Sequence, residues 1–311
     1  MHPAGPSKES FGCLMRRLLR RHLATLSARP AEEIINLSAY PLNSLGSRVG
    51  RALLSSVGQQ LHETGCAVLP NFLLPDALAE GVAECERGRA RGDVFAETRF
   101  HNVYMSADDP KLPADHPIHS FQERAQGYIA HDQLEQSSIF KTLYAYDPLT
   151  EFVCKATSKT LYRSADPIAC APISVMEPGA AFPWHFDEND VTLTLMLQPA
   201  EHGGTFEFFP NLRSIQDENV TAVAAILNGN RTGVIRSTLG GGDLQIFYGQ
   251  NSLHRVTSVG AGSRPRYLFA PAWNDVPNLV NTVQRSIGSY GRALDVHRQR
   301  ESLNGRDGLR G

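Results

Sequence analysis

Three side chains carry the chemistry that this sequence can do. His185 and Asp187 form a His-x-Asp pair in Trp184-His185-Phe186-Asp187, and His254 stands far downstream in Ser252-Leu253-His254-Arg255-Val256. Two imidazoles and one carboxylate suit a first-row divalent ion, covering one face of an octahedron and leaving three positions for exchangeable ligands. On an extended strand, residues i and i+2 project to the same side. His185 and Asp187 are therefore expected to reach one ion while Phe186 turns away, with His254 arriving from a distant strand.

Iron held in this way needs a second handle for an anionic co-substrate. 2-Oxoglutarate chelates iron through its keto-acid end and leaves a distal carboxylate, which a guanidinium matches with a fork of N–H donors and a permanent charge. Arg264 and Arg266 both follow His254. Arg266 opens the apolar run Tyr267-Leu268-Phe269-Ala270 and is the preferred candidate, whereas Arg264 lies in the Gly262-Ser263 turn and is restricted by Pro265 after it. The plain alternative is that both are exposed turn arginines.

The ligand pair enters from a loop containing Pro178-Gly179 and Pro183, and the run 191–197 after it alternates with the period of a half-buried strand. Ile173–Met176 opens a series of short strands that reaches Trp273, with strands expected over 205–209, 242–247, 253–259 and 267–270. Gly203-Gly204 and Gly240-Gly241-Gly242 are the turn signals between them. An insert over 211–237 interrupts the series, with a helix expected over 217–227 that ends at Asn228-Gly229.

The N-terminal half reads differently. Leu53, Leu54, Val57 and Leu61 have helical spacing, and Thr64-Gly65 is a stop signal. A buried strand, Cys66–Leu69, follows, then a helix with Asp76 as N-cap and Leu78 and Val82 on one face. Helices are expected over 134–146 and, with Asp147 as N-cap and Pro148 in the first position, over 147–153. Residues 93–132, broken by Pro110, Pro113 and Pro117, read as a lid or substrate loop. His101, His116, His119 and His131 lie in that stretch without paired ligand spacing. At least six strands after an α-rich half predict a mainly β fold with flanking helices, a double-stranded β-helix of the jelly-roll or cupin-like kind. The expected organisation is a basic extension over 1–33, a main domain over 34–277 that is α-rich to 170 and a jelly roll from 171, and a C-terminal helix or tail over 278–311.

Bulk composition narrows the function classes. At 311 residues and 41% hydrophobic, the chain can bury one large core. A formal net charge of −2 gives no pull toward nucleic acid, and no apolar run approaches the roughly 20 residues that span a bilayer. Neither nucleic acid nor membrane is expected as a partner. Cys13, Cys66, Cys85, Cys154 and Cys170 contain no Cys-x-x-Cys pair, against a disulfide framework or zinc ribbon. Reduced thiols and a cytoplasmic location fit best. Lys8, Arg16, Arg17, Arg20, Arg21 and Arg29, interspersed with leucines, suit a transit peptide or nucleic-acid arm. The plainer reading, favoured here, is a loosely ordered extension, with Met15 as an alternative start.

Together these features resemble the Fe(II)/2-oxoglutarate-dependent oxygenases, from Glu63-Thr64-Gly65-Cys66-Ala67-Val68-Leu69-Pro70 through Trp273. The resemblance rests on His185-Phe186-Asp187, Gly203-Gly204-Thr205-Phe206-Glu207, Gly242-Asp243-Leu244 and His254-Arg255-Val256-Thr257. The blocks His185-Phe186-Asp187-Glu188-Asn189 and Phe209-Pro210-Asn211-Leu212-Arg213 resemble the branch containing free amino acid hydroxylases and radical halogenases. The resemblance implies Fe(II), 2-oxoglutarate and O2 as cofactor and co-substrates, and decarboxylation of 2-oxoglutarate to succinate and CO2 coupled to oxidation of an unactivated C–H bond. In the halogenases a small residue replaces the ligand carboxylate so that halide can bind; Asp187 fills that position here, which implies hydroxylation. The branch further suggests Glu188 for a substrate ammonium group, with Arg99 and His101 for a substrate carboxylate. The competing readings are a peptide-tethered or larger natural-product substrate, desaturation, a non-catalytic jelly-roll binding protein, and a hard-cation site built from Asp187, Glu188, Asn189 and Asp190. The last lacks the spacing of a calcium loop and leaves both histidines unused.

Overall fold

Ser47 starts the first helix by accepting the Gly50 amide at 3.0 Å, and Gly65, at a left-handed φ of 67°, ends it where a Cβ would be strained. These lie in a computed structural model that describes residues 28–306. The basic segment and Met15 fall outside the described residues. Helix α1 (Arg48–Thr64) leads into β1 (Cys66–Leu69), as the sequence predicts. Helix α2 (Pro75–Arg91) begins two residues earlier than expected. Leu74 is its N-cap and Asp76 sits in the first turn, because Pro75 is already shaped for the first helical position and has no N–H to satisfy. Its buried face is the small-residue line Ala77, Gly81, Cys85 and Gly88. Leu78 and Val82 are only partly buried.

The largest departure lies in 93–132. Instead of an irregular stretch, β2 (Val94–His101) and β3 (Gln122–Ile129) form an eight-residue antiparallel ladder, and all three prolines fall in the connection between them. Both strands carry charged or polar residues on both faces, so no hydrophobic alternation marks them. Helix α3 is shorter than expected (Ile139–Ala145), since residues 131–133 form a separate 3-10 turn and Ser138 provides the cap. Helix α4 (Asp147–Thr157) follows directly; Tyr146 takes the N-cap position and Asp147 becomes its first residue.

Next come β4 (Tyr162–Arg163), β5 (Ile173–Met176), β6 (Phe182–His185), β7 (Thr192–Gln198) and β8 (Phe206–Phe209). Helix α5 (Val220–Leu227) starts later than predicted because Asn219 takes a left-handed φ of 48°. Strands β9 (Ile235–Ser237), β10 (Leu244–Phe247), β11 (Leu253–Val256), β12 (Arg266–Phe269) and β13 (Trp273–Asn274) precede helices α6 (Val283–Tyr290) and α7 (Asp295–Arg306). A seven-stranded sheet, β1-β10-β7-β12-β5-β3-β2, faces a four-stranded one, β6-β11-β8-β9, and every pairing is antiparallel. This is the expected double-stranded β-helix with flanking helices. Met176, Phe206, Phe208, Phe247 and Val256 form one core cluster between the sheets. The main core, with Phe140, Phe152, Val175 and Phe269, joins the large sheet to the N-terminal helices.

Cys66, Cys85, Cys154 and Cys170 are free thiols. No helix of the described residues is long and apolar enough to cross a membrane.

The C-terminal helices are tied to the body by a buried pair. His297 is fully buried and its Nε2 donates to Asp166 Oδ2 at 3.1 Å, while its Nδ1 accepts the Leu294 amide at 2.8 Å, which identifies the neutral ring. Asp166 also accepts the amides of Ile168, Ala169 and Asn281 at 2.9, 2.8 and 3.0 Å. Burial alone raises the carboxyl, but these donors outweigh it and hold Asp166 below its ordinary value of 3.8.

Replacing Asp166 by Ala strands four buried donors and is expected to cost about 3–5 kcal/mol in urea unfolding at pH 7. Because the folded-state pKa is depressed, this contribution is complete above 3.8 and is lost as pH falls through the folded value. The stability gap between wild type and Asp166→Asn should therefore narrow between pH 5 and the acid limit of folding.

Candidate metal centre

His185 and His254 meet because the register of two strands puts them opposite each other. They are direct partners in the β6–β11 ladder, and their rings lie 4.1 Å apart. Each Nδ1 faces a backbone carbonyl, Pro183 O at 2.7 Å and Ser252 O at 2.9 Å. A carbonyl only accepts, so each Nδ1 carries a proton and each Nε2 is the ring nitrogen that faces the centre. Burial, reinforced by His254, pushes the His185 pKa down to about 3, so that imidazole is neutral.

Asp187 is placed differently from the sequence expectation. It lies two residues beyond the end of β6, so strand alternation does not orient it. The chain leaves the ladder as the Phe186 amide donates to Val103 O at 2.8 Å and the Asp187 amide donates to Gly249 O at 3.0 Å. Phe186 does turn away, into a cluster with Val103, Trp184 and Leu212. Asp187 Oδ1 sits 3.5 Å from His185 Nε2 and 3.3 Å from His254 Nε2. Its Oδ2 accepts from Thr192 Oγ1 at 2.6 Å, which leaves one oxygen for an ion. Burial raises this carboxyl, but His254 and His185 outweigh it and hold the group well below the ordinary carboxylate range.

The three donor atoms lie within 4.8 Å of one another and are the one such group of His, Cys, Asp and Glu among the described residues. A divalent ion requires an unprotonated imidazole nitrogen and an ionised carboxylate, the forms that burial favours for His185 and that the neighbouring histidines favour for Asp187. The neighbouring acids do not converge with them. Glu188 is exposed and pairs with Arg285, and Asp190 pairs with Lys159 at 2.5 Å, which removes the hard-cation arrangement.

Gly249 and Thr192 escaped the sequence reading. A Cβ on Gly249 would overlap the Asp187 carboxylate. Gly249 does not have the positive φ that marks other glycines, so its role is clearance alone.

The other candidates separate clearly. Arg266 is 3% exposed, has no acidic partner among the described residues, and leaves its Nε without an acceptor. Its Nη1 reaches only Met176 Sδ at 3.9 Å, and burial pulls its pKa down to about 10. An unpaired buried guanidinium is costly unless an anion completes it. Arg264 is exposed and donates to Pro199 O at 3.2 Å. His101 joins the centre: its ring lies edge-on to His185 at 5.9 Å and to Phe182 at 5.6 Å, and its buried Nε2 has no partner. Arg99 lies farther along β2 and pairs with Glu97, and Glu188 faces outward.

Gly249→Ala is expected to displace the Asp187 carboxylate and weaken metal binding by about 10- to 100-fold, the range for changes that misorient a ligand. Calorimetric titration with Zn(II) checks this, with far-ultraviolet circular dichroism expected to stay as in wild type.

Comparison with known proteins places the chain. It is similar to a prolyl-4-hydroxylase from Pseudomonas putida, with 16% identity, 72% of this chain and 99% of that chain covered and a TM-score of 0.45. It is also similar to AviO1 from Streptomyces viridochromogenes Tue57, with 18% identity, 71% and 94% covered and a TM-score of 0.48. The epimerase SnoN in complex with Fe3+, alpha ketoglutarate and nogalamycin RO has 14% identity, 72% and 84% covered and a TM-score of 0.49. No curated protein matches this chain in sequence. Residues 118–286, more than half of the chain and inclusive of His185, Asp187, His254 and Arg266, match Halogenase D. The chain belongs to the Halogenase D family.

Proposed function

We propose that this protein hydroxylates an unactivated C–H bond of a small, amino-acid-like substrate, with His185, Asp187 and His254 holding Fe(II) and Arg266 binding the distal carboxylate of 2-oxoglutarate. The observation that carries it is the carboxylate of Asp187. The family takes its name from halogenation, yet in this chain Thr192 anchors Asp187 Oδ2 and leaves Oδ1 beside the two imidazoles, where a halide would have to bind.

Bound iron and 2-oxoglutarate supply the oxidising chemistry, consuming O2 and releasing succinate and CO2. The chain's own residues bind, orient and exclude water. The Nδ1–H bonds to Pro183 and Ser252 keep both Nε2 atoms aimed at the ion. Thr192 engages Asp187 Oδ2 and leaves Oδ1 as the oxygen that would hold an ion. Arg266 offers Nε and its remaining N–H groups to a carboxylate in a fork. Phe206, Phe247 and Phe182 pack around the ligand imidazoles and keep that side dry.

Anaerobic addition of Fe(II) and 2-oxoglutarate should give the visible charge-transfer band of the chelate in wild type. The band should be absent in His185→Ala and His254→Ala. Arg266→Gln should keep iron binding but weaken 2-oxoglutarate by about 100-fold, near 3 kcal/mol for a lost charged hydrogen-bonded pair. No band in folded wild-type protein removes the oxygenase assignment. With an amino-acid panel and excess chloride, the product should gain one oxygen atom; a chlorinated product from wild type would overturn the role given to Asp187.

A further inference from the structure

Two arginines stand opposite each other on β2 and β3. Arg99 and Arg124 are register partners, on the face that also carries Phe95, Glu97, Gln126 and Tyr128. Helix α6 roofs this face through Gly288 and Ser289, and a Cβ on Gly288 would overlap the Arg99 guanidinium. Like charges directly opposite on neighbouring strands destabilise a sheet. One carboxylate offsets them: Glu97 accepts from Arg99 Nε at 2.7 Å and Nη2 at 2.6 Å.

Arg124 has no acidic partner among the described residues. Its Nε and Nη2 donate to Gln126 Oε1 at 3.3 and 3.0 Å, its Nη2 also donates to Tyr128 Oη at 2.7 Å, and its Nη1 has no acceptor there. Helix α6, Val-Gln-Arg-Ser-Ile-Gly-Ser-Tyr, brings no acid of its own. Two guanidiniums and one carboxylate leave the recess with one positive charge in excess.

The recess adjoins the metal ligands. The Arg124 guanidinium lies 4.1 Å from the Phe182 ring centroid, and that ring stacks on His185 at 3.7 Å and 7°. His101, two residues beyond Arg99 on the same face of β2, meets both rings. The recess is small and partly open to solvent. Arg266 lies on β12, two strands from β3 across β5. At about 4.8 Å per strand step, the two unneutralised guanidiniums sit on strands about 10 Å apart and can serve two different anions.

We propose that the recess between β2, β3 and α6 is the subsite for an oxyanion of the substrate, a carboxylate or a phosphate, with Arg124 as its main counter-ion and Arg99 at its edge, an inference that rests on the oxygenase reading of the adjoining centre. The substrate is then an anion at one end, with its reacting carbon on the His185 side.

The test uses full-length protein loaded with Zn(II), which holds the site without turnover, and follows arginine side-chain Nε–H resonances assigned through Arg124→Gln and Arg266→Gln. Addition of 2-oxoglutarate should move Arg266. Acetate or inorganic phosphate added to that complex should then move Arg124 saturably at about millimolar concentration, and Arg124→Gln should weaken the anion by at least about tenfold. Tighter acetate assigns a carboxylate and tighter phosphate a phosphorylated substrate; either supports the subsite. No saturable shift of Arg124 with either anion overturns it, as does competition of acetate with 2-oxoglutarate, which would give the recess to the co-substrate. Should Arg124→Gln not fold, Arg124→Lys keeps the charge without the fork and should weaken the anion; unchanged affinity counts against the subsite. A silent Arg266 strikes the oxygenase reading, whatever Arg124 does.

Discussion

The register between β6 and β11 is the constraint on which the centre depends. His185 and His254 are opposite one another in that ladder, and a slip of one residue would turn one imidazole to the outer face. Several contacts oppose such a slip. Leu253 and Trp184 are buried in the cluster on the outer side of the small sheet, while Phe206, Phe208 and Val256 are buried between the sheets. Glu207, 1% exposed, accepts from Arg255 of β11 at 2.7 Å and from Arg236 of β9 at 2.8 Å, and Arg255 lies over the Trp184 ring at 4.7 Å. Burial raises the Glu207 carboxyl, and the two guanidiniums more than reverse that. The charged network on one face of the small sheet thus fixes the alignment of the two imidazoles on the other.

The distribution of positive charge shows what the fold tolerates for function. Most arginines of the described residues have an acid or a carbonyl nearby, as Arg87 has in Glu135 and Arg292 in Asp132. Arg266 has neither, although it is buried. A guanidinium kept from solvent without a counter-ion lowers the stability of the unliganded chain. Arg266 packs next to Met176 and Gly204, where a Cβ on Gly204 would come within 3.2 Å of its Cδ.

What the sequence disclosed depended on the range of the physics involved. The ligand trio, the stop at Gly65 and the β-rich second half were legible because spacing, turn chemistry and alternation are local signals. Asp187 was found for an incomplete reason: its orientation comes from the Gly249 carbonyl and Thr192 hydroxyl rather than from strand period. Strands β2 and β3 were missed because Glu97, Arg99, Arg124 and Gln126 place polar groups where one face of a sheet is usually apolar. Arg124 was overlooked with them. The outward turn of Glu188 was illegible because its partner, Arg285, belongs to a helix far along the chain.

The roof of the recess is made from the segment after β12, whereas every metal ligand and Arg266 precede it in sequence. Synthesis therefore delivers the three ligand residues before α6, which covers Arg99, and α7, which brings His297 to Asp166. Domains form from the N-terminal side as synthesis proceeds at about 5–20 residues per second. The residues that could hold an ion and the helix that covers the recess thus come from separate stretches of the chain.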